Sequence, residues 1–183
     1  MTAPFRGKER RTQEAFRSLL LALSYPGKAF PLPSSGPQEA LRLLGETLLD
    51  GRVTALGPDW LFAALAEAPP RRAREPEEAE FAFLEGYTPA LPSLLPRFPR
   101  GTPLEPEGGA TLVLVAPLGQ GQRARLRGPG IPGEREVGIG LPPAFWEARA
   151  ACLAYPLGFE LFLTDGRKVV GLPRTTEVEP WGT

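Results

Sequence analysis

The sequence predicts an α/β domain in which a mixed β-sheet is flanked by helices. Three observations carry that expectation. Amphipathic helical stretches come first along the chain, and strand-like runs dominate the second half with one helix among them. The run "ATLVLVAPL" (110–118) is continuously apolar and β-branched, as suits a strand covered on both faces. "GFELFLTDGRKVVGLP" (158–173) reads as two strands joined by Asp165-Gly166, a dipeptide suited to a tight hairpin.

Taken in order, "RRTQEAFRSLLLALSYPGK" (10–28) puts Phe16, Leu19, Leu20 and Leu23 at helical spacing, with Arg11 and Arg17 on the polar side. Thr12 suits its N-cap, and Pro26-Gly27 stops it. "GPQEALRLLGETLLDG" (36–51) is a second amphipathic helix, with Pro37 near its first turn and Gly51 past its end. In "GPDWLFAALAEA" (57–68), Asp59 is the expected cap of a third helix. Trp60, Leu61 and Leu65 form its apolar face, and Pro69-Pro70 ends it. "PPRRAREPEEAE" (69–80) mixes charge signs and reads as solvated surface.

"AEFAFLEG" (79–86) alternates like a strand. A long proline-rich connection (87–109) follows, with a short helix expected at 90–95. "QGQRARLRGPGI" (120–131) is a strand with Arg123, Arg125 and Arg127 on one face, ended by a turn around Pro129. "REVGIG" (135–140) reads as another strand and "PPAFWEARAACLAYP" (142–156) as a helix.

At 183 residues the chain fits one domain, 1–183, with a substantial core. Arg plus Lys balance Asp plus Glu at 21 each, so there is no net basic footprint for nucleic acid or an anionic membrane. "LLLAL" and "TLVLVA" are too short to span a bilayer, and "MTAPFRGKERRTQ" lacks the apolar core of a leader. Cys152 is the one cysteine, which excludes an intrachain disulfide and points to the cytoplasm. It falls within the predicted helix and, with no histidine in the chain to activate it, is expected to be a buried, inert thiol.

No metal is expected: histidine and a cysteine cluster are absent, and no acidic loop has calcium spacing. Glu77-Glu78 sits in the charged segment and reads as solvated. "GPGIPGER" lacks the Gly-Lys-Ser/Thr of a phosphate-binding loop, and its prolines and following strand favour a β-turn.

The stretch "LPRTT" (172–176) is the strongest chemical signal. Arg174 offers a planar fork of donors, and Thr175 and Thr176 can add hydroxyls. With Arg127, Gly128 and Gly130 of the "RLRGPG" turn they form a candidate anion-binding site. The alternative is structural: an arginine tying down the tail, beside threonines that favour strands.

Four stretches occur in order: "FRSLLLALSYPGK" (16–28), "GTPLEPEGGATLVL" (101–114), "LRGPGI" (126–131) and "YPLGFELFLTDGRKVVGLPRTT" (155–176). Together they resemble the H subunit of the bacterial carbon–phosphorus lyase system over nearly the whole chain. One departure is Glu160, where the family usually carries aspartate.

The resemblance implies phosphonate catabolism. Partner subunits lettered G, I and L act with this one to replace the adenine of ATP by methylphosphonate, giving ribose 1-methylphosphonate 5-triphosphate. It also implies a cytoplasmic homodimer, and a fold like the large domain of pyridoxal-phosphate-dependent transferases without that cofactor. The catalytic step is attributed to another subunit, so no catalytic residue is carried over. Direct binding of triphosphate or phosphonate by Arg174, Thr175 and Thr176 is the alternative role. A stand-alone small-molecule-binding domain is a third.

Overall fold

The computed structural model describes residues 5–181. The leader expectation for residues 1–13 therefore lies partly outside the described residues. Five helices can be named in chain order: α1 (Phe5–Ser24), α2 (Pro37–Leu48), α3 (Asp59–Ala64), α4 (Leu91–Leu94) and α5 (Pro143–Cys152). The strands are β1 (Ala29–Pro31), β2 (Thr54–Leu56), β3 (Arg71–Arg72), β4 (Phe81–Leu84), β5 (Thr111–Val115), β6 (Leu118–Arg127), β7 (Arg135–Ile139), β8 (Glu160–Thr164), β9 (Lys168–Leu172) and β10 (Glu177–Pro180).

They form two sheets rather than one. The larger has seven strands in the order β1-β9-β8-β5-β4-β2-β3. Strands β3, β2, β4, β5 and β8 run parallel, while β9 returns antiparallel to β8 and β1 antiparallel to β9, which makes the sheet mixed. The smaller sheet is antiparallel, β10-β6-β7. Across the Asp165-Gly166 turn Thr164 pairs with Val169, and the Asp165 carboxylate accepts from the backbone N–H groups of Arg167 and Lys168, both at 2.9 Å.

Each central strand sends alternate side chains to opposite faces. On one face Val113, Phe162 and Val169 pack with the stripes of α1, α2 and α3. On the other, Leu112, Leu161 and Leu172 pack with α4 and α5, and the small sheet adds Leu126 and Ile139. Strand β5 is buried on both faces, as its unbroken apolar run requires. Among the described residues no helix is long and apolar enough to cross a membrane.

Several local expectations shift. Helix α1 begins before Thr12, whose hydroxyl bonds back to the carbonyls of Lys8 and Glu9 at 3.2 and 3.0 Å instead of capping. Its buried stripe is Ala15, Ser18, Leu19 and Ala22, while Phe16 and Leu20 are 49 and 53% exposed. The reason is a close approach: a Cβ on Gly171 of β9 would lie 2.6 Å from the carbonyl carbon of Ala22. The α1 backbone therefore rests on β9, small side chains must face the sheet, and the bulky ones turn outward.

Asp59 is the first helical residue of α3 rather than its cap, and its carboxylate pairs with Arg72. Helix α3 stops at Ala64, short of Pro69-Pro70. The basic face of β6 is engaged rather than free: Arg125 pairs with Glu134 at 2.9 Å, and Arg123 and Arg125 lie over the Trp181 ring.

Ahead of α2, Ser35 donates its N–H and its hydroxyl to Glu39 at 2.9 and 2.6 Å, and Arg11 pairs with the same carboxylate. The Ser35 hydrogen bonds, more than the Arg11 charge, pull the Glu39 pKa down to about 2. Because the folded pKa is depressed, the stabilising effect is full above the ordinary glutamate range and is lost as pH falls toward 2. A carboxyl NMR titration should place the Glu39 midpoint near 2, moving upward in Ser35→Ala. A wild-type midpoint at the ordinary value of about 4.3 would refute the contact.

Candidate functional site

The chain leaves β9 at Leu172, runs through Pro173–Thr176, and enters the small sheet as β10. Helix α5 lies beside this turn. Between them is a cleft of about 340 Å³, lined by Trp146, Arg149, Tyr155, Arg174, Thr175 and Thr176 among others. The fold brings the "LPRTT" residues to a concave surface, but gives their side chains different tasks.

Arg174 is tied down. Its Nε donates to Glu160 Oε1 at 2.6 Å and its backbone N–H to Glu160 Oε2 at 3.0 Å. Its Nη1 donates to the carbonyls of Pro106 and Pro156, the latter at 3.3 Å. Both side chains are largely buried, at 15 and 21% exposure. Glu160 thus holds the turn through both oxygens, in a structural pair with Arg174. One arginine pins together the turn, strand β8 and two distant loops.

Arg127 is engaged elsewhere. Its Nε donates to Glu134 at 2.6 Å, its Nη1 lies 3.6 Å from Glu179, and the Glu134 hydrogen bond raises its pKa. It lines a separate hollow with Arg125, Glu177, Val178 and Glu179. Gly128 does meet the turn: at φ +139° its absent Cβ would lie 2.7 Å from the Thr175 carbonyl oxygen. Gly130 packs instead against Ser24 and Pro26. The structure gathers Arg174, Thr175 and Thr176 at one cleft, brings Gly128 behind them, and leaves Arg127 and Gly130 outside it.

Two further residues of the cleft escape sequence reasoning. Arg149 of α5 is 1% exposed and reaches under the turn. It donates through Nη1 to the Thr176 carbonyl at 3.0 Å, and through Nη2 to the carbonyls of Pro173 at 2.9 Å and Leu172 at 3.3 Å. Burial pulls its pKa down to about 10, against the opposite pull of Glu160 and Cys152, so it stays charged at neutral pH. Trp146, one helical turn earlier, is also 1% exposed. The available signal was spacing: Trp146 and Arg149 share the helical face of Phe145 and Cys152, where an arginine is out of place. Cys152 is 2% exposed and its thiol is pushed up by burial, as expected of an inert thiol.

A larger crevice of about 520 Å³ lies at the carboxyl ends of β2 and β4. There the crossover through α3 passes to one face of the sheet and that through α4 to the other, the usual place for a ligand in open α/β sheets. Its lining is mainly apolar, from Leu56, Phe83, Leu84 and Leu91, with Glu85 held at 2.8 Å by Trp60 Nε1. Among the described residues no cluster of three metal-ligating side chains occurs.

These features define a mixed-sheet α/β domain, covered on both faces, with an arginine-floored cleft where the antiparallel strand β9 hands over to a second sheet. The chain belongs to the family of the bacterial phosphonate metabolism protein (PhnH), whose sequence model matches residues 3–179. It is 39% identical over 175 residues to HtxG of Stutzerimonas stutzeri, named for the C-P lyase, covering 92% of this chain and 86% of that one. It is 32% identical over 185 residues to the Rhizobium meliloti (strain 1021) protein named alpha-D-ribose 1-methylphosphonate 5-triphosphate synthase subunit PhnH, covering 91% and 90%.

Proposed function

We propose that this chain is a subunit of the carbon–phosphorus lyase system in phosphonate catabolism. With partner subunits it supports formation of ribose 1-methylphosphonate 5-triphosphate from ATP and methylphosphonate, as one cytoplasmic domain over 1–183. The observation that carries the reading is its match to the Rhizobium meliloti synthase subunit across nine-tenths of both chains. The test is genetic and biochemical. Bacteria lacking their own counterpart should regain growth on methylphosphonate as sole phosphorus source when this chain is supplied with its partner subunits, and the chain should co-purify with them. Failure of both would sink the reading.

The same reading includes a homodimer. Phe16 and Leu20 stand one turn apart on the outer side of α1, and Tyr25 just beyond its end is 49% exposed. Two large exposed apolar groups one turn apart on one helix face, with a third close to the helix end, suit a self-complementary two-fold contact. Leu20→Asp is expected to halve the mass seen by light scattering at micromolar concentration. A wild-type monomer, or a dimer indifferent to Leu20→Asp and Phe16→Asp, would count against it.

The likeness to the large domain of pyridoxal-phosphate-dependent transferases belongs to the proposal as well, supported by the sheet covered with helices on both faces. The cofactor is not expected to come with it, because its anchoring lysine does not fit. Lys8 pairs with Glu46 and Glu67, Lys28 sits near the Tyr25 and Phe30 rings, and Lys168 is exposed on β9. None of the three lines the cleft beside α5. Mixing the protein with pyridoxal phosphate should produce no aldimine band. A band lost on borohydride treatment, with a labelled lysine, would overturn this.

A further inference from the structure

Among the described residues three buried side-chain atoms have no hydrogen-bond partner: Nε1 of Trp146, Nε of Arg149 and Oγ1 of Thr176. All three residues line the cleft between α5 and the 173–178 turn. They are neighbours there. Trp146 and Arg149 are three residues apart on one helical face, and Arg149 Nη1 is 3.0 Å from the Thr176 carbonyl oxygen. Each residue is 1% exposed. Buried polar groups are nearly always satisfied, so three orphans from adjacent side chains mark a place that a partner fills.

The chemistry of the orphans selects that partner. The indole N–H and the guanidinium N–H only donate, and the threonine hydroxyl can also donate. What completes them is an acceptor with several lone pairs. It also carries negative charge: Arg149 is a buried cation held by three carbonyls, and among the described residues no carboxylate forms a salt bridge with it, Glu160 acting on it only at longer range. A planar carboxylate brings two oxygens, whereas a tetrahedral oxyanion brings three on one face, one for each donor. Arg174 does not compete for it, since Glu160 and two carbonyls already engage its guanidinium.

We propose that this cleft is a binding site for one tetrahedral oxyanion, a phosphonate or phosphate group, held by Trp146 Nε1, Arg149 Nε and Thr176 Oγ1. The oxyanion enters from the rim, where Tyr155 is 86% exposed, and the rim must yield because the three donor atoms are screened from solvent. Glu177, exposed at the same rim, disfavours a long polyphosphate and suits a small phosphonate of lower charge. That the natural oxyanion is a phosphonate rests on the function proposed above. The site itself rests on the three donors.

The test is titration calorimetry with methylphosphonate and with inorganic phosphate, on the purified chain and on the complex with its partner subunits. Thr176→Val keeps the shape and removes only the hydroxyl, and Trp146→Phe removes the indole N–H. Each should weaken methylphosphonate binding by about tenfold or more, the cost of a hydrogen bond to a charged group. Thr176→Val should leave the thermal midpoint of the ligand-free protein unchanged or raised, since there the hydroxyl is an unmet buried group. Binding that neither variant weakens would overturn the site. So would no binding of either probe to chain or complex; lowered midpoints in the variants would then be the signature of a trapped water that serves the fold. Growth rescue on methylphosphonate without any binding would sink the site and leave the function standing. Binding without growth rescue would do the reverse.

Discussion

Arg149→Leu is expected to lower the thermal midpoint by roughly 10 °C. Among the described residues the guanidinium is the one side-chain donor to three carbonyls of one short turn, those of Leu172, Pro173 and Thr176. Leucine fills part of the volume and satisfies none of them. The Pro173 carbonyl keeps its bond from the Thr176 N–H at 2.9 Å, and stripping the partner from the others costs about 1–3 kcal/mol each. In a chain of this size each kcal/mol moves the midpoint by about 2–4 °C. The loss should appear first where the turn feeds the small sheet, as faster amide exchange along β10 and along β6 beside it. Arg149→Lys keeps the charge but cannot span three carbonyls with a planar fork, so its midpoint should fall between the two. A midpoint within about 2 °C of wild type in Arg149→Leu would show that the turn stands without its staple.

Arg174→Lys is the second large effect. The change keeps a cation beside Glu160 and removes the fork that also reaches Pro106 and Pro156. Hydrogen bonds to charged groups contribute about 1.5–3 kcal/mol, and this pair is sheltered enough to keep much of that. Denaturant unfolding should therefore show a loss of about 2 kcal/mol. In a double-mutant cycle with Glu160→Gln the two losses should not add, because each single change already breaks the same pair. The ligand role predicts the opposite pattern: intact stability, with growth on methylphosphonate impaired by about ten- to a hundredfold weaker binding. Intact stability with intact growth would refute both roles.

Much of the fold was legible in the residues. The α2 pattern with Pro37 in its first turn, the apolar β5 run and the Asp165-Gly166 turn each carry their own signal, and each appears where expected. The short strands β1, β2 and β3 were not legible, since two or three residues hold no periodicity and their pairing is set by neighbours far along the chain. The outward turn of Phe16 and Leu20 was hidden for a similar reason: it depends on Gly171, some 150 residues away. At the cleft, Arg174 and Thr176 announced themselves through their cluster. Arg149 did not, because a buried arginine in a helix looks like any surface arginine until the carbonyls it serves are in place.

The seat of α1 on Gly171 also bears on how the molecule is made. A ribosome delivers α1 early and its resting place late, because β9 follows β8, and β8 follows the β5 strand that it must zip against. Through most of synthesis the first helix can meet α2 but not the strand it rests on, and β5 keeps an open edge. The nascent chain must carry an apolar strand open on one edge and a first helix only partly covered until the β8–β9 hairpin emerges. Assembly of this protein is thus a task deferred to the end of translation, and fragments stopped ahead of that hairpin are natural clients for holding chaperones.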